Sequence, residues 1–349
     1  MRHFGKSTMR ESLPSTSKRA ALQAFLKGAA FLLAISAIFT LLSPIPAALV
    51  IRAAFRKSIA VAPANYSEME NRIDIVKNAS YPSALPDNTL DLYLPKNKTG
   101  RLPVVLWVHG GAFVGGDKSD VALYATALAA EGFAVVCMNY RRAPEAKYPA
   151  PLTQTQDAYR WLKESADLYS FDLNRFVLAG DSAGAHIVAQ FAAIQSNSAY
   201  AAEMNFEQTV PLHTLKALLL FCGPFDVAKM DAGNNATMNF FIGRAAWAYF
   251  GTNDWATQYA HQATISNHVT KTFPAAFITD GNHFSFESHG RELADALEQK
   301  GVPVETYFIP SGTETAEHEY QFQMNTAAGE ESFRQAVDFL KKHTQAAAI

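Results

Sequence analysis

Ser182 lies in the pentapeptide Gly180-Asp181-Ser182-Ala183-Gly184, after the apolar run Phe176-Val177-Leu178-Ala179 and before the helix-like stretch Ala185 to Ile194. Strand, G-x-S-x-G turn and helix, in that order, hold a serine on a tight, strained turn with its hydroxyl exposed at a sheet edge. The flanking glycines remove side chains that would collide where strand and helix pack closely. A hydroxyl becomes a useful nucleophile when a base takes its proton, and acyl transfer also needs donors for the oxyanion. His109-Gly110-Gly111-Ala112-Phe113 directly follows the apolar run Val104 to Val108. Its glycines let backbone N–H groups approach a ligand unobstructed. The N–H groups of Gly110, Gly111 and Ala183 are therefore the expected oxyanion donors, each typically worth about 3 kcal/mol of barrier. In isolation, a helix cap is a reasonable reading of Ser182, and a plain turn is the better reading of the glycine pair. Their pairing favours the chemistry.

The sequence contains ten histidines, so position must select the base. His318 follows the strand-like Val304–Ile309 through the loop 310–317 and precedes the last helix. In a parallel sheet that loop lies at the C-terminal edge, where the serine turn also opens. His318 is the expected base. His186, four residues after Ser182, is expected to pack beside the site. His109 belongs to the oxyanion loop and is expected to orient it by hydrogen bonding.

These residues need a sheet to carry them. From Thr89 onward strand-like and helix-like stretches alternate. Strands are expected at 90–94, 104–108, 134–138, 176–179, 217–221, 275–279 and 304–309. Helices are expected at 121–131, 158–166, 185–194, 291–300 and 331–342. Fully apolar strands separated by helices imply an α/β class with a mostly parallel central sheet covered on both faces. Residues 1–51 read as a basic N-terminus with a membrane-anchor or signal segment, 52–88 as a lead-in or cap segment, and 89–349 as the catalytic domain. Residues 225–272, rich in Phe, Trp, Tyr and Met, break the rhythm and read as a cap insertion.

The segment Tyr140-Arg141-Arg142-Ala143-Pro144-Glu145, with Tyr148-Pro149-Ala150 after it, adds a third signature. With the two glycine motifs, in this order, the chain from about Leu90 to Lys342 resembles the hormone-sensitive-lipase-like (bacterial family IV) esterases. The resemblance implies an α/β-hydrolase fold and hydrolysis of carboxylic esters, often of short acyl chains, with no cofactor. It implies Ser182 as nucleophile, His318 as base, and the N–H groups of Gly110, Gly111 and Ala183 as oxyanion donors. It also implies an acid, an Asp shortly after a Gly beyond the seventh strand. Here that region reads Thr279-Asp280-Gly281-Asn282-His283-Phe284-Ser285-Phe286-Glu287, and Phe284 stands where the Asp is expected. Glu287 ranks first as the substitute, three residues on and on the same face if a helix has begun. Asp280 at the strand end and Asp226 after the 217–221 strand are the alternatives.

Composition bounds the remaining possibilities. The 349 residues carry a formal net charge of −2, which gives no reason to propose a nucleic-acid partner. Cys137 and Cys222 lie in apolar strand-like runs and read as buried thiols. No Cys or His pair shows zinc-type spacing. Gly28 to Ile51 is uncharged and apolar, and its length would cross a bilayer core of about 30 Å as a helix. Pro44 and Pro46 shorten the dependable helix to near Leu42. Basic residues Arg2, Lys6, Arg10, Lys18, Arg19 and Lys27 precede it against one acid, Glu11, which favours the leading side in the cytoplasm. An uncleaved anchor is preferred over a signal peptide cut near Ala47-Ala48. Either places the catalytic domain outside the cytoplasm, membrane-anchored, secreted or periplasmic. A helix buried on the body is the third reading.

The leading functional expectation is a serine carboxylesterase acting through an acyl-enzyme on Ser182, with a small-molecule or lipid-like ester as substrate. The alternatives are a non-catalytic binding protein on the same fold, which the displaced acid supports, and a serine acyltransferase or peptidase.

Overall fold

The computed structural model describes residues 16–55, 58–231, 235–310 and 312–345. Arg2, Lys6, Arg10 and Glu11 of the leading segment lie outside the described residues. The chain divides into two compact units, Met1–Pro46 and Ala47–Ile349. The first contains a 27-residue helix, Thr16–Leu42. Among the described residues no helix is long and apolar enough to cross a membrane. The apolar stretch from Gly28 to Ile51 is interrupted after Leu42, where Pro44 and Pro46 set the expected end of the helix. The first helix ends at Leu42 and a second begins at Ile45, where Pro46 takes an early helical position and donates no N–H. That second helix, Ile45–Ala54, gives Ala47, Ala48 and Ile51 to buried positions.

The larger unit is built on eight strands: β1 (Ile73–Ser80), β2 (Thr89–Pro95), β3 (Leu102–Val108), β4 (Ala134–Met138), β5 (Phe171–Asp181), β6 (Leu215–Phe221), β7 (Ala275–Asp280) and β8 (Val304–Phe308). Their order is β1-β2-β4-β3-β5-β6-β7-β8. β2 runs antiparallel to both β1 and β4, and the six strands from β4 to β8 in that order are parallel. This is the expected α/β class with a mostly parallel sheet. β1 falls inside the stretch read as a lead-in. Its polar composition, Ile-Asp-Ile-Val-Lys-Asn-Ala-Ser, and its mostly exposed side chains hid an edge strand.

The central strands are apolar on both faces because both faces are covered. Along β3, Val104, Leu106 and Val108 join one core while Val105 and Trp107 join the other. β5 divides in the same way, with Phe176 and Leu178 on one side and Val177 and Ala179 on the other. This is the period of two expected of a pleated strand. The helix Ala183–Ser196 is buried along its entire length, which accounts for its apolar run of small residues. The described residues between 225 and 272 carry short helices joined by loops, with Ala236–Phe250 the longest element.

Candidate active site

Each chemistry-bearing residue sits at or just beyond the C-terminal end of a parallel strand. His109 and Gly110 follow β3, Asp181 ends β5, Asp280 ends β7, and His318 lies on the loop after β8. Paired ends align across the sheet, Asp181 with Phe221 and Asp280 with Phe308. Ligands bind at this edge in open α/β sheets.

Ser182 adopts φ 48°, ψ −118°, a conformation that L residues rarely take. The turn that imposes it requires both glycines. A Cβ on Gly180 would lie 2.5 Å from the carbonyl carbon of Gly184, and a Cβ on Gly184 would lie 2.0 Å from the carbonyl oxygen of Val108. The Ser182 N–H donates to the Phe221 carbonyl at 2.7 Å. The serine thus stands at the N-terminus of the buried helix, where free N–H groups and the helix dipole favour negative charge.

The structure brings Ser182 and His318 together. His318 Nε2 lies 3.1 Å from Ser182 Oγ, across 136 residues of sequence. Its other nitrogen, Nδ1, lies 3.4 Å from Asp280 Oδ1. That separation is an ion-pair contact a little longer than a closed hydrogen bond. Burial disfavours the imidazolium, but the negative charge of Asp280 beside it, with Glu319 and Asp181 beyond, pushes the His318 pKa up to about 9.

The carboxylate at His318 is therefore Asp280 and not Glu287, the first-ranked residue. Glu287 begins the helix Glu287–Gln299, and its Oε1 accepts from Arg291 Nε at 2.7 Å, one turn along. Asp226 is engaged elsewhere. It accepts from the Ala228 N–H and Thr264 Oγ1 and pairs with Lys229 at 3.2 Å. Asp280 is held by its own loop. Oδ1 accepts from the Gly281 N–H and Oδ2 from the Phe286 N–H, both at 2.7 Å. Phe284 turns that loop back at φ 47°, so an acid at the strand end occupies the place expected of one four residues later.

A second correction concerns Gly110. Its N–H donates to Asp181 Oδ2 at 2.8 Å, so it is not offered to a substrate. A Cβ there would fall 2.4 Å from that oxygen. The N–H groups of Gly111, Ala112 and Ala183 donate to no protein acceptor among the described residues. His109 folds its Nδ1 onto the Gly110 carbonyl at 2.7 Å and stacks on Tyr140. Burial lowers its pKa to about 4, so it is neutral in the loop it braces. His186 is buried against Phe113 with Nε2 2.9 Å from the Ala263 carbonyl, and burial lowers it to about 4 as well. It packs and does not reach the serine.

Three residues went unread in the sequence. Asp181 accepts from Trp107 Nε1 at 2.7 Å as well as from Gly110. Glu319 follows the histidine in the left-handed region. Ala112 takes the loop position after the glycine pair at φ 53°. The available signal was an acid before the nucleophile and another after the base.

A cavity opens over Ser182, lined by Phe113, Met230, Met238, Ile242, Phe284 and Phe286 among others, with Phe55 at its margin. Its walls are almost wholly apolar. Cys222 Sγ, a carboxylate oxygen of Asp280 and a nitrogen of His318 lie within 4.8 Å of one another, a donor set of metal-ligand type. Burial holds the Cys222 thiol well above its usual range, so it stays protonated, and it accepts from Gln321 Nε2. Asp280 and His318 face each other. The cluster reads as protein-to-protein contact.

Fold and site together define an α/β-hydrolase with a serine, histidine and carboxylate in contact. Residues 90–286 match the BD-FAE family. The chain belongs to that family, in keeping with its resemblance to the hormone-sensitive-lipase-like esterases. Esterase LipI of Mycobacterium tuberculosis is 44% identical over 211 residues, covering 59% of this chain and 62% of the relative. Isoprenylcysteine alpha-carbonyl methylesterase of Arabidopsis thaliana is 38% identical over 104 residues, 30% of this chain and 24% of the relative. The chain thus spans about a quarter of the length of the methylesterases it matches. Esterase B from Lactobacillus rhamnosis shares the fold, with TM-score 0.67 and 21% identity over 91% of this chain and 97% of that one.

Proposed function

We propose that this chain is a serine carboxylesterase. The observation that carries the reading is the 3.1 Å approach of His318 Nε2 to Ser182 Oγ beneath an apolar cavity. Ser182 Oγ attacks the ester carbonyl carbon and passes its proton to Nε2. The carbonyl oxygen becomes an oxyanion held by the N–H groups of Gly111, Ala112 and Ala183. The intermediate collapses, the C–O bond to the alcohol breaks, and the alcohol leaves with the proton from His318. Water, deprotonated by His318, then attacks the acyl-enzyme; the acid is released and the proton returns to Ser182. Asp280 keeps the imidazole oriented and stabilises its cation throughout. The names of the relatives, esterases and methylesterases, support the reaction class.

Turnover of p-nitrophenyl acetate and butyrate by the wild type, abolished in Ser182→Ala, is the expected result. A fluorophosphonate probe should label Ser182. Unchanged turnover in Ser182→Ala would refute the reading, and absence of both labelling and turnover would favour the non-catalytic alternative. The cavity lining, with Met230, Met238, Ile242 and Phe284, supports an apolar acyl group, and a series from acetate to palmitate measures its length.

Localisation is part of the same proposal. The exposed apolar residues Leu22, Phe25, Leu26, Leu41 and Leu42, with the leading basic residues, support attachment of the first unit to a lipid surface and a catalytic unit outside the cytoplasm. The burial of Ala47 and Ala48 weighs against cleavage there. Fractionation with a carbonate wash tests this: recovery of all activity in the soluble fraction sinks it.

A further inference from the structure

The loop that carries the oxyanion donors is also held at its far end. Ala112 and Phe113 stand side by side at φ 53° and 63°, strained positions that non-glycine residues keep only where their surroundings impose them. The turn closes on itself, with the Gly111 carbonyl accepting from the Val114 and Gly115 N–H groups at 3.1 and 2.8 Å. Three further carbonyls of the loop are held from outside it. Phe113 accepts from the Ala143 N–H at 2.9 Å, Val114 from Arg52 Nε at 2.6 Å, and Gly116 from Arg142 Nη1 at 2.7 Å. Ala143 and Arg142 belong to the segment that follows β4. Arg52 does not: it lies on the helix Ile45–Ala54, 62 residues before Val114.

Arg52 uses its whole fork. Besides the Val114 contact, Nη2 donates to the Ala143 carbonyl at 2.7 Å, and Nη1 and Nη2 reach the two carboxylate oxygens of Glu145 at 2.8 and 2.6 Å. One planar guanidinium thus ties the loop to the segment 143–145, a geometry that a lysine does not reproduce. The helix can approach because residue 115 has no side chain. A Cβ on Gly115 would lie 3.2 Å from Phe55 Cβ and 3.3 Å from Arg52 Cα. Arg52 is half-buried, and its hydrogen bonds hold the Glu145 pKa down to about 2. The fork therefore stays closed throughout the range in which His318 titrates. Arg52 itself does not line the cavity over Ser182.

We propose that Arg52 is a positioning residue for ester hydrolysis, which by fixing the Val114 and Ala143 carbonyls holds the strained turn that aims the Gly111 and Ala112 N–H groups at the oxyanion. The inference rests on the esterase reading of the site. Donors aimed at the oxyanion act on the transition state and not on the bound ester. Their displacement therefore lowers kcat and leaves KM in place. A residue that only docked the helix Ile45–Ala54 would change stability without this signature.

The test compares Arg52→Ala, Arg52→Lys and Glu145→Ala with wild type in the full chain, using p-nitrophenyl butyrate and a butyl trifluoromethyl ketone. Ser182 Oγ adds to the ketone carbonyl carbon and its proton passes to His318. The carbonyl oxygen becomes an oxyanion on the same donors. Arg52→Ala should lose about 10- to 100-fold in kcat, less than deletion of a donor outright, with KM within about twofold of wild type. The Ki of the ketone should rise by the factor by which kcat/KM falls. Arg52→Lys should fall between Arg52→Ala and wild type. Glu145→Ala breaks the ion pair but leaves both carbonyl contacts of Arg52. It should lower the thermal midpoint as Arg52→Ala does, yet stay within about threefold of wild type in kcat. The proposal is overturned if Arg52→Ala keeps kcat within about threefold, if its loss falls on KM, or if the ketone Ki does not move. It is equally overturned if Glu145→Ala loses as much kcat as Arg52→Ala, because docking of the helix would then account for both. Should Arg52→Ala fail to fold, Arg52→Lys decides: a loss of kcat matched in the ketone Ki supports the proposal, and wild-type values overturn it. A wild type that neither hydrolyses the ester nor takes up a fluorophosphonate is a different outcome, and it sinks the esterase reading itself.

Discussion

Ser182 and Asp280 both stand at the C-terminal ends of parallel strands, with β6 between those strands, yet what fixes them differs. The serine turn is determined almost within its own pentapeptide. Gly180 admits Gly184, Gly184 admits the Val108 carbonyl, and Ser182 takes the strained conformation that remains. The acid loop is fixed by partners more than thirty residues away. The N–H groups of Asn282 and His283 donate to the Ala316 carbonyl at 2.9 and 3.0 Å. The Ala316 N–H donates to Asn282 Oδ1, and the His318 N–H to the His283 carbonyl. Asp280 and His318 are thus locked to each other by pairing the two loops that carry them. A nucleophile can be built locally, whereas an acid and base that must face each other are built by long-range backbone bonds.

The largest expected effect strikes the serine turn. Gly184→Ala would put a methyl 2.0 Å from a backbone oxygen, which a neighbour cannot relieve by changing rotamer. A loss of about 3 kcal/mol of stability is expected, read as a collapse in thermal midpoint and in soluble yield. Wild-type stability in this variant would show that the turn is looser than its packing indicates. Next comes Asp280→Asn, expected to lower kcat by about 10⁴ with the fold intact. A loss below about tenfold would mean that the histidine is oriented from elsewhere, and the contrast between the two regions would fail.

The same contrast accounts for how much could be read in advance. Seven strands of the sheet, the serine turn, the oxyanion loop and His318 were legible because periodicity, glycine placement and chain order are local properties. Strand β1 was hidden by its polar exposed face. Asp280 ranked below Glu287 because helix spacing gives Glu287 a plausible face. Nothing near Asp280 in sequence announces that Phe286 donates back to it. Gly110 was misassigned for a similar reason. Its partner Asp181 is 71 residues away and belongs to the other motif. The break in the apolar run 28–51 was legible, because Pro44 and Pro46 announce an end near Leu42, and the structure divides the run between Leu42 and Ile45.

The acid loop also sets a pH dependence. The base works only when neutral, and Asp280 together with its neighbours raises the His318 pKa from 6.5 to about 9 against the opposing effect of burial. Activity should therefore fall as pH drops through a midpoint above 6.5. In Asp280→Asn the stabilising charge is gone while burial remains, so the residual activity should show a midpoint displaced to lower pH. A midpoint that stays put would detach Asp280 from the base. Asn282→Ala probes the loop pairing itself. It removes a side-chain amide that donates to the Glu314 carbonyl and accepts from the Ala316 N–H. About 1–2 kcal/mol of stability and up to about tenfold in kcat are expected to go, with the serine still labelled by fluorophosphonate.

Glu287→Gln should have the smallest effect, and it sharpens the comparison most directly because this residue lies seven positions from Asp280 on the same loop and helix. Its carboxylate sits in the first turn of the helix Glu287–Gln299 and pairs with Arg291 at 2.6 Å. Arg291 also lies over the Phe308 ring at 4.4 Å, so it keeps a partner when the charge is removed. The pair is partly exposed, and such pairs with a helix-terminal charge are worth about 0.3–1 kcal/mol. A shift of a degree or two in thermal midpoint, turnover within about twofold of wild type and an unmoved pH profile are expected. Were Glu287 the orienting acid, turnover would instead fall by about 10⁴ and the His318 limb would move to lower pH. The two outcomes differ by thousands of fold, so one variant separates an acid held by its strand end and paired loops from an acid carried on a helix.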